Sequence, residues 1–127
     1  MTKKPRSGTL STKGPSDKKG RAPAKEANVT AKMKGLLDKN QIRFHSHANS
    51  RMAQRGVIYY EVLQALNKGK HEPSRDRFST EHSSWEYSFL GKTLDDRELR
   101  IGVAFEANPK SNERLLVITV IDPNKED

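Results

Sequence analysis

His45-Ser46-His47-Ala48-Asn49-Ser50-Arg51-Met52-Ala53-Gln54-Arg55-Gly56-Val57-Ile58-Tyr59-Tyr60-Glu61-Val62-Leu63-Gln64-Ala65-Leu66-Asn67-Lys68-Gly69 holds two short helical patterns separated by Gly56. In the first, Ser46 is the expected N-cap, because its hydroxyl can accept one of the unpaired first-turn N–H groups. Ala48 and Met52 lie four residues apart and form a narrow apolar stripe. His47, Arg51 and Arg55 have the same spacing and form a second stripe about 100° round the helix. So short a helix is marginal alone in water and must pack on a partner surface. The second pattern runs from about Tyr59 to Lys68, with Val62, Leu63 and Leu66 turned inward and Gly69 as the stop. One helix thus carries an imidazole and two guanidinium groups beside an apolar face.

Working outward toward the C-terminus, Lys70 to Ser83 is polar, and Pro73 argues against a central strand there. A loop or an edge strand near residues 70–78 fits. The period then changes to two: Trp85, Tyr87 and Phe89 alternate with Glu86 and Ser88 and stop at Gly91. After a polar turn over residues 92–97, Leu99, Ile101, Val103 and Phe105 alternate with Arg100, Gly102, Ala104 and Glu106. Asn108 to Asn112 form the next turn. Leu115 to Ile121 is almost wholly apolar, as expected of an inner strand covered on both faces, and Asp122-Pro123 ends it.

Toward the N-terminus, Ile42 to Phe44 forms a short extended lead into the central helix. Residues 28–40 allow an accessory helix with Val29, Met33, Leu36 and Leu37 on one face, weakened by Gly35. Residues 1–27 are Lys, Pro, Gly, Ser and Thr with almost nothing apolar, a composition that cannot repay the entropy of ordering. The expected organisation is a disordered basic tail over 1–27, a helix over 28–40, one α+β domain over 41–123 and a flexible end over 124–127. Within the domain, two or three helices cover one face of a three- to four-stranded antiparallel sheet.

The chain has 127 residues and a net charge of +8. Residues 1–34 carry ten Lys or Arg against Asp17 and Glu26, so the whole excess lies there and the other 93 residues are formally neutral. A bulk electrostatic argument for a nucleic-acid-binding domain therefore fails, and any anion site in the domain must come from local clustering. No apolar run approaches the length of a membrane span. The absence of cysteine excludes disulfides, thiolate chemistry and cysteine-type zinc sites, and fits a cytoplasmic setting.

Guanidinium groups one helical turn apart repel mildly unless an anion or carboxylate lies between them, which makes Arg51 and Arg55 a natural phosphate clamp. An imidazole beside such a clamp can act as acid or base near neutral pH. The chemistry this suits is metal-independent RNA cleavage, in which the 2′-OH attacks the adjacent phosphate while arginines stabilise the phosphoryl oxygens. The competing reading is a solvated helix face whose cations pair with sheet carboxylates such as Glu86 or Glu106. Trp85, Tyr87 and Phe89 fit either a base-stacking platform or, by their period, the core; the Tyr87 hydroxyl could reach a site edge. Thr119 interrupts the last apolar run, so its hydroxyl either bonds to backbone or faces a cleft. His45, His47, His71 and His82 lack metal-ligand spacing, and neither a metal nor a cofactor is implied.

The run His47-Ala48-x-x-Arg51-Met52-x-x-Arg55-Gly56-Val57, followed by Val62, Ala65, Leu66 and Gly69, resembles a family of small bacterial and phage-borne domains of unknown function. Those open with His-Ala-x-x-Arg-Met-x-x-Arg-Gly-Ile and continue into three strands, with a Tyr in the first, matched by Tyr87. A Val-x-Thr-Val near their end is matched by Val117-Ile118-Thr119-Val120. The resemblance covers residues 44–122. Such domains are grouped with the barnase–EndoU–colicin–RelE superfamily of metal-independent ribonucleases, many of them toxins. The resemblance therefore implies helices followed by a four-stranded sheet, and an RNA-cleaving cleft lined by His47, Arg51 and Arg55 with Tyr87 and Thr119 as contributors. It also implies an antitoxin or immunity protein as partner. RNA affinity would be raised by the tail cations Lys3, Lys4, Arg6, Lys18, Lys19 and Arg21, and by His45 beside the motif. The rival expectation is a non-catalytic module that binds nucleic acid or protein through that tail.

Overall fold

The change of period from 3.6 to 2 near residue 84 divides the chain into a helical half and a sheet half, and in the computed structural model these pack face to face. The structure describes residues 22–107 and 113–125. The elements are α1 (Val29–Asp38), β1 (Ile42–Phe44), α2 (Ser46–Arg55), α3 (Tyr59–Lys68), β2 (Lys70–His71), a 3-10 turn (Pro73–Arg75), β3 (Arg77–Ser79), β4 (Ser84–Lys92), β5 (Glu98–Ala107) and β6 (Glu113–Ile121). This is an α+β fold with a six-stranded mixed sheet. The strand order is β1-β6-β5-β4-β2, with β3 paired to β4.

The meander β4-β5-β6 is antiparallel, as the alternation predicts, with Tyr87 opposite Val103 and Val103 opposite Val117. The expected edge strand near residues 70–78 is present as two short pieces, β2 against Phe89–Leu90 and β3 against Ser84–Glu86. One pairing departs from the expected antiparallel sheet. Ile42–Phe44 is a strand of its own, parallel to β6 in the register Ile42–Leu115 and Phe44–Val117. The helical half crosses over before the meander begins, which brings β1 in beside β6 in the same direction; three residues carry too little pattern to reveal it.

On the helix-covered face, Tyr87, Phe89, Leu99, Ile101, Val103, Leu115, Val117 and Val120 are buried against Val29, Met33, Ala48, Met52, Val62, Ala65 and Leu66. At about 25 cal/mol per Å² of apolar area this is the dominant stabilising contact of the molecule. Leu63, expected inside, is half-buried, and Ala65 takes the inward position beside Val62 and Leu66. α1 contributes to the same core as α2 and α3. On the other face Ala104, Leu116 and Ile118 form a second small buried cluster, so β6 is buried on both sides over residues 115–118, while Thr119 and Ile121 beyond them are only half-buried. Of the expected tail, Ala22 to Ala27 are described, and polar groups of the sheet pin them. The Trp85 indole donates to Pro23 O at 2.7 Å, and the Glu26 amide donates to the Tyr87 hydroxyl at 2.9 Å. The expected turn over residues 108–112 lies outside the described residues.

Candidate phosphate-binding groove

α2 places the site. Its N-cap is His45 rather than Ser46: the His45 ring Nδ1 accepts the His47 amide at 3.0 Å. An imidazole lone pair thus does the work expected of a hydroxyl, and His45 acts in the structure as the anchor of the helix. The helix ends at Gly56, whose φ of 64° is the left-handed conformation that glycine adopts without a Cβ penalty. Arg97, from the turn between β4 and β5, clamps that end. Its guanidinium donates to Arg55 O at 2.6 Å and Gly56 O at 3.1 Å, and its Nε to the buried Asp122 carboxylate at 3.3 Å. A cation on the last carbonyls of a helix opposes the negative end of its dipole.

Fixed at both ends, α2 buries Ala48 and Met52 and turns His47, Arg51 and Arg55 toward β6. β1 covers only Leu115–Val117 of that strand, so the edge beyond Val117 has no strand on this side among the described residues. The result is a groove of about 260 Å³ lined by His47, Arg51, Arg55, Thr119, Val120 and Ile121. Arg51 Nε donates to His47 Nε2 at 3.5 Å, a long bond at the limit of the useful range. His47 is exposed, Arg51 and Arg55 are half-buried, and one guanidinium nitrogen of Arg55 is fully buried. Glu86 and Glu106, the two sheet carboxylates named as examples of neutralising partners, are engaged elsewhere, although Arg55 has an interaction of its own. Glu86 takes Arg77 at 3.1 Å, and Glu106 takes Arg43 at 2.8 Å and Arg114 at 2.6 Å. Hydrogen bonds from Arg43 hold the Glu106 carboxyl below its ordinary value against the opposing effect of burial, with Arg114 adding to the shift.

Of the residues singled out in the sequence, His47, Arg51, Arg55 and Thr119 come together. Tyr87 does not join them. It is 3% exposed in the core, its hydroxyl accepts the Glu26 amide, and its ring packs on Phe105 and His71. Phe89 is wholly buried too, so the stacking-platform alternative does not survive for this pair. His45 meets His82, from the turn between β3 and β4, edge to face at a ring separation of 5.6 Å. That contact ties the β3–β4 hairpin to the start of α2. Lys3, Lys4, Arg6, Lys18, Lys19 and Arg21 lie outside the described residues.

A second basic groove, not expected from the sequence, lies on the sheet face turned away from the helices. Arg100 lies there, bound through two nitrogens to Glu72 at 2.8 and 3.1 Å, with Arg75 and Arg77 beside it. The hydrogen bonds from Arg100 hold the Glu72 carboxyl below its ordinary value against burial, with help from the Ser88 hydroxyl. The signal in the sequence was the outward-facing Arg100 and Gly102 on one strand, but their partners come from other elements.

Among the described residues, no helix is long and apolar enough to cross a membrane. No curated protein and no solved structure matches the chain. Residues 44–122, from the end of β1 through β6 to the buried Asp122, match the model of a domain of unknown function (DUF4258), and the chain belongs to that family.

Proposed function

We propose that the protein is a toxin-like endoribonuclease that cleaves RNA without a metal, in keeping with the barnase–EndoU–colicin–RelE grouping that its motif resembles. The observation that carries this reading is the groove between α2 and the open edge of β6, where one imidazole and two guanidinium groups share a wall. Arg51 and Arg55 hold the scissile phosphate and stabilise its charge as it builds up on the phosphoryl oxygens. A phosphate that draws Arg51 to itself releases His47 Nε2, which then takes the proton of the 2′-OH. The 2′-oxygen bonds to phosphorus and the bond to the 5′-oxygen breaks. The leaving oxygen takes a proton from solvent, giving a cyclic phosphate and a 5′-hydroxyl end. An antitoxin or immunity protein that covers the groove is the expected partner.

A second reading rests on the Arg51–His47 bond itself, which engages the imidazole lone pair. Were that bond kept in the complex, the groove would bind RNA without cutting it. Induction of the full chain in bacteria separates the two. The nuclease reading expects growth arrest with new RNA ends, both lost in His47→Ala and in Arg51→Ala with Arg55→Ala at equal soluble expression. Normal growth with intact RNA would leave the binding module.

A further inference from the structure

Ser88 of β4, Gly102 of β5 and Thr119 of β6 are hydrogen-bonded neighbours in register and lie in one row across the outer face of the sheet. The middle member has no side chain, and a Cβ there would lie 2.4 Å from Thr119 Oγ1. The row is therefore a notch with a hydroxyl at each end. Thr119 leans over it because Gly102 leaves the space. Around the notch stand three guanidinium groups. Arg100 is fixed by Glu72, which also accepts the Ser88 hydroxyl at 2.9 Å. Arg77 is held by Glu86 at 3.1 Å, yet its side chain is 71% exposed, and that of Arg75 is 56% exposed.

Together these groups enclose about 290 Å³, and Thr119 and Ile121 line both this space and the groove beside α2. The two grooves thus meet at the free end of β6. A guanidinium has five N–H donors, and the carboxylates take up only some of them while fixing its direction. Three arginines stand against Glu72 and Glu86, with Glu98 also acting on Arg100. Anion binding here therefore draws on the guanidinium N–H groups that the carboxylates leave over and on the Thr119 hydroxyl, the Ser88 proton being given to Glu72.

We propose that this notch is a second phosphate subsite, which binds the backbone phosphate of the same RNA strand next to the one held by Arg51 and Arg55. The strand passes over Thr119 from one groove to the other. The inference rests on the nuclease reading for the identity of the ligand, and its position follows from the shared Thr119. It makes the ligand a polyanion with at least two phosphates rather than a single nucleotide.

The test is fluorescence anisotropy of the full chain with a short 2′-O-methylated RNA oligonucleotide, which binds and is not cut, across a salt series. Arg75→Gln with Arg77→Gln is expected to weaken binding about tenfold and to flatten the logarithmic salt slope by roughly 0.7, the value for one phosphate contact on a single strand. The control removes the same charge from the helix-covered side, Lys34→Gln with Lys39→Gln, and is expected to change neither. Gly102→Ala fills the notch and pushes the Thr119 hydroxyl aside without altering charge, and is expected to weaken binding as well. Equal losses in both double variants would reduce the effect to net charge and overturn the subsite. A wild type that binds and cuts RNA while the Arg75 and Arg77 changes leave affinity and slope unaltered would overturn the subsite and leave the nuclease reading intact. A wild type that binds no RNA would overturn both.

Discussion

At the scale of single residues, several carboxylates of the sheet half orient arginines. Glu72 holds Arg100, Glu86 holds Arg77, and Glu106 holds Arg43 and Arg114. Glu72 and Glu106 are both held below their ordinary value, each chiefly by hydrogen bonds from a guanidinium. A carboxyl whose folded-state value is depressed stabilises the fold fully above the unfolded value of about 4.3, and that contribution disappears as the pH falls through the folded value. Denaturant unfolding is therefore expected to show stability flat above about pH 5 and declining below about pH 4. In Glu72→Gln the neutral-pH stability should be lower by roughly 1–3 kcal/mol, since Arg100 loses its charged partner, and the acid decline should be shallower. An unchanged acid limb in that variant would show that Glu72 does not contribute to the acid decline. Little of this pairing was legible in the sequence. Which Arg meets which Glu depends on register across strands, and Glu86 and Glu106, weighed as partners for α2, are instead occupied on the outer face.

At the scale of elements, α2 is a short helix fixed from outside itself. His45 caps one end, Arg97 clamps the other, and the Ala48/Met52 stripe lies on β6. The spacing of His47, Arg51 and Arg55 alone puts them on one side of a helix, so this part of the site could be read without a structure. The clamp could not, because Arg97 and Asp122 lie far from α2 in the chain and meet it only when the meander has folded. Arg97→Met is expected to cost about 3 kcal/mol, since it leaves the Asp122 carboxylate buried without its cation as well as freeing the helix end. Thermal unfolding measures the loss. If stability instead stays within about 0.5 kcal/mol of wild type, as for an ordinary surface change, the clamp is not what holds α2 in place.

At the scale of the whole molecule, period and composition predicted an α+β layout with helices on one face and an antiparallel meander, and the structure has both. The parallel β1 was hidden because three residues cannot show a period and their partner strand lies far along the chain. The second groove was hidden for a related reason. Its lining comes from the 3-10 turn, β3, β4, β5 and β6, and only folding brings Arg75, Arg77, Arg100 and Thr119 to one place. The charge map points the same way. Residues 35–127 are formally neutral, yet guanidinium groups gather where the two grooves meet at the end of β6. Formal neutrality of the domain therefore does not count against the proposed binding of an anionic strand along these grooves.

Whether the α2 groove cuts RNA through His47, as proposed, is decided by incubating the purified full chain with a DNA oligonucleotide carrying a single ribonucleotide, in buffer containing a metal chelator. Scission is expected only after the ribose, leaving a cyclic phosphate and a 5′-hydroxyl end. The all-deoxy strand is expected to stay intact, and the rate to fall at least about a hundredfold in His47→Ala with its unfolding midpoint unchanged. Cleavage that proceeds equally well in the His47→Ala protein, or an intact ribose-containing strand after incubation with well-folded wild type, would contradict the proposal.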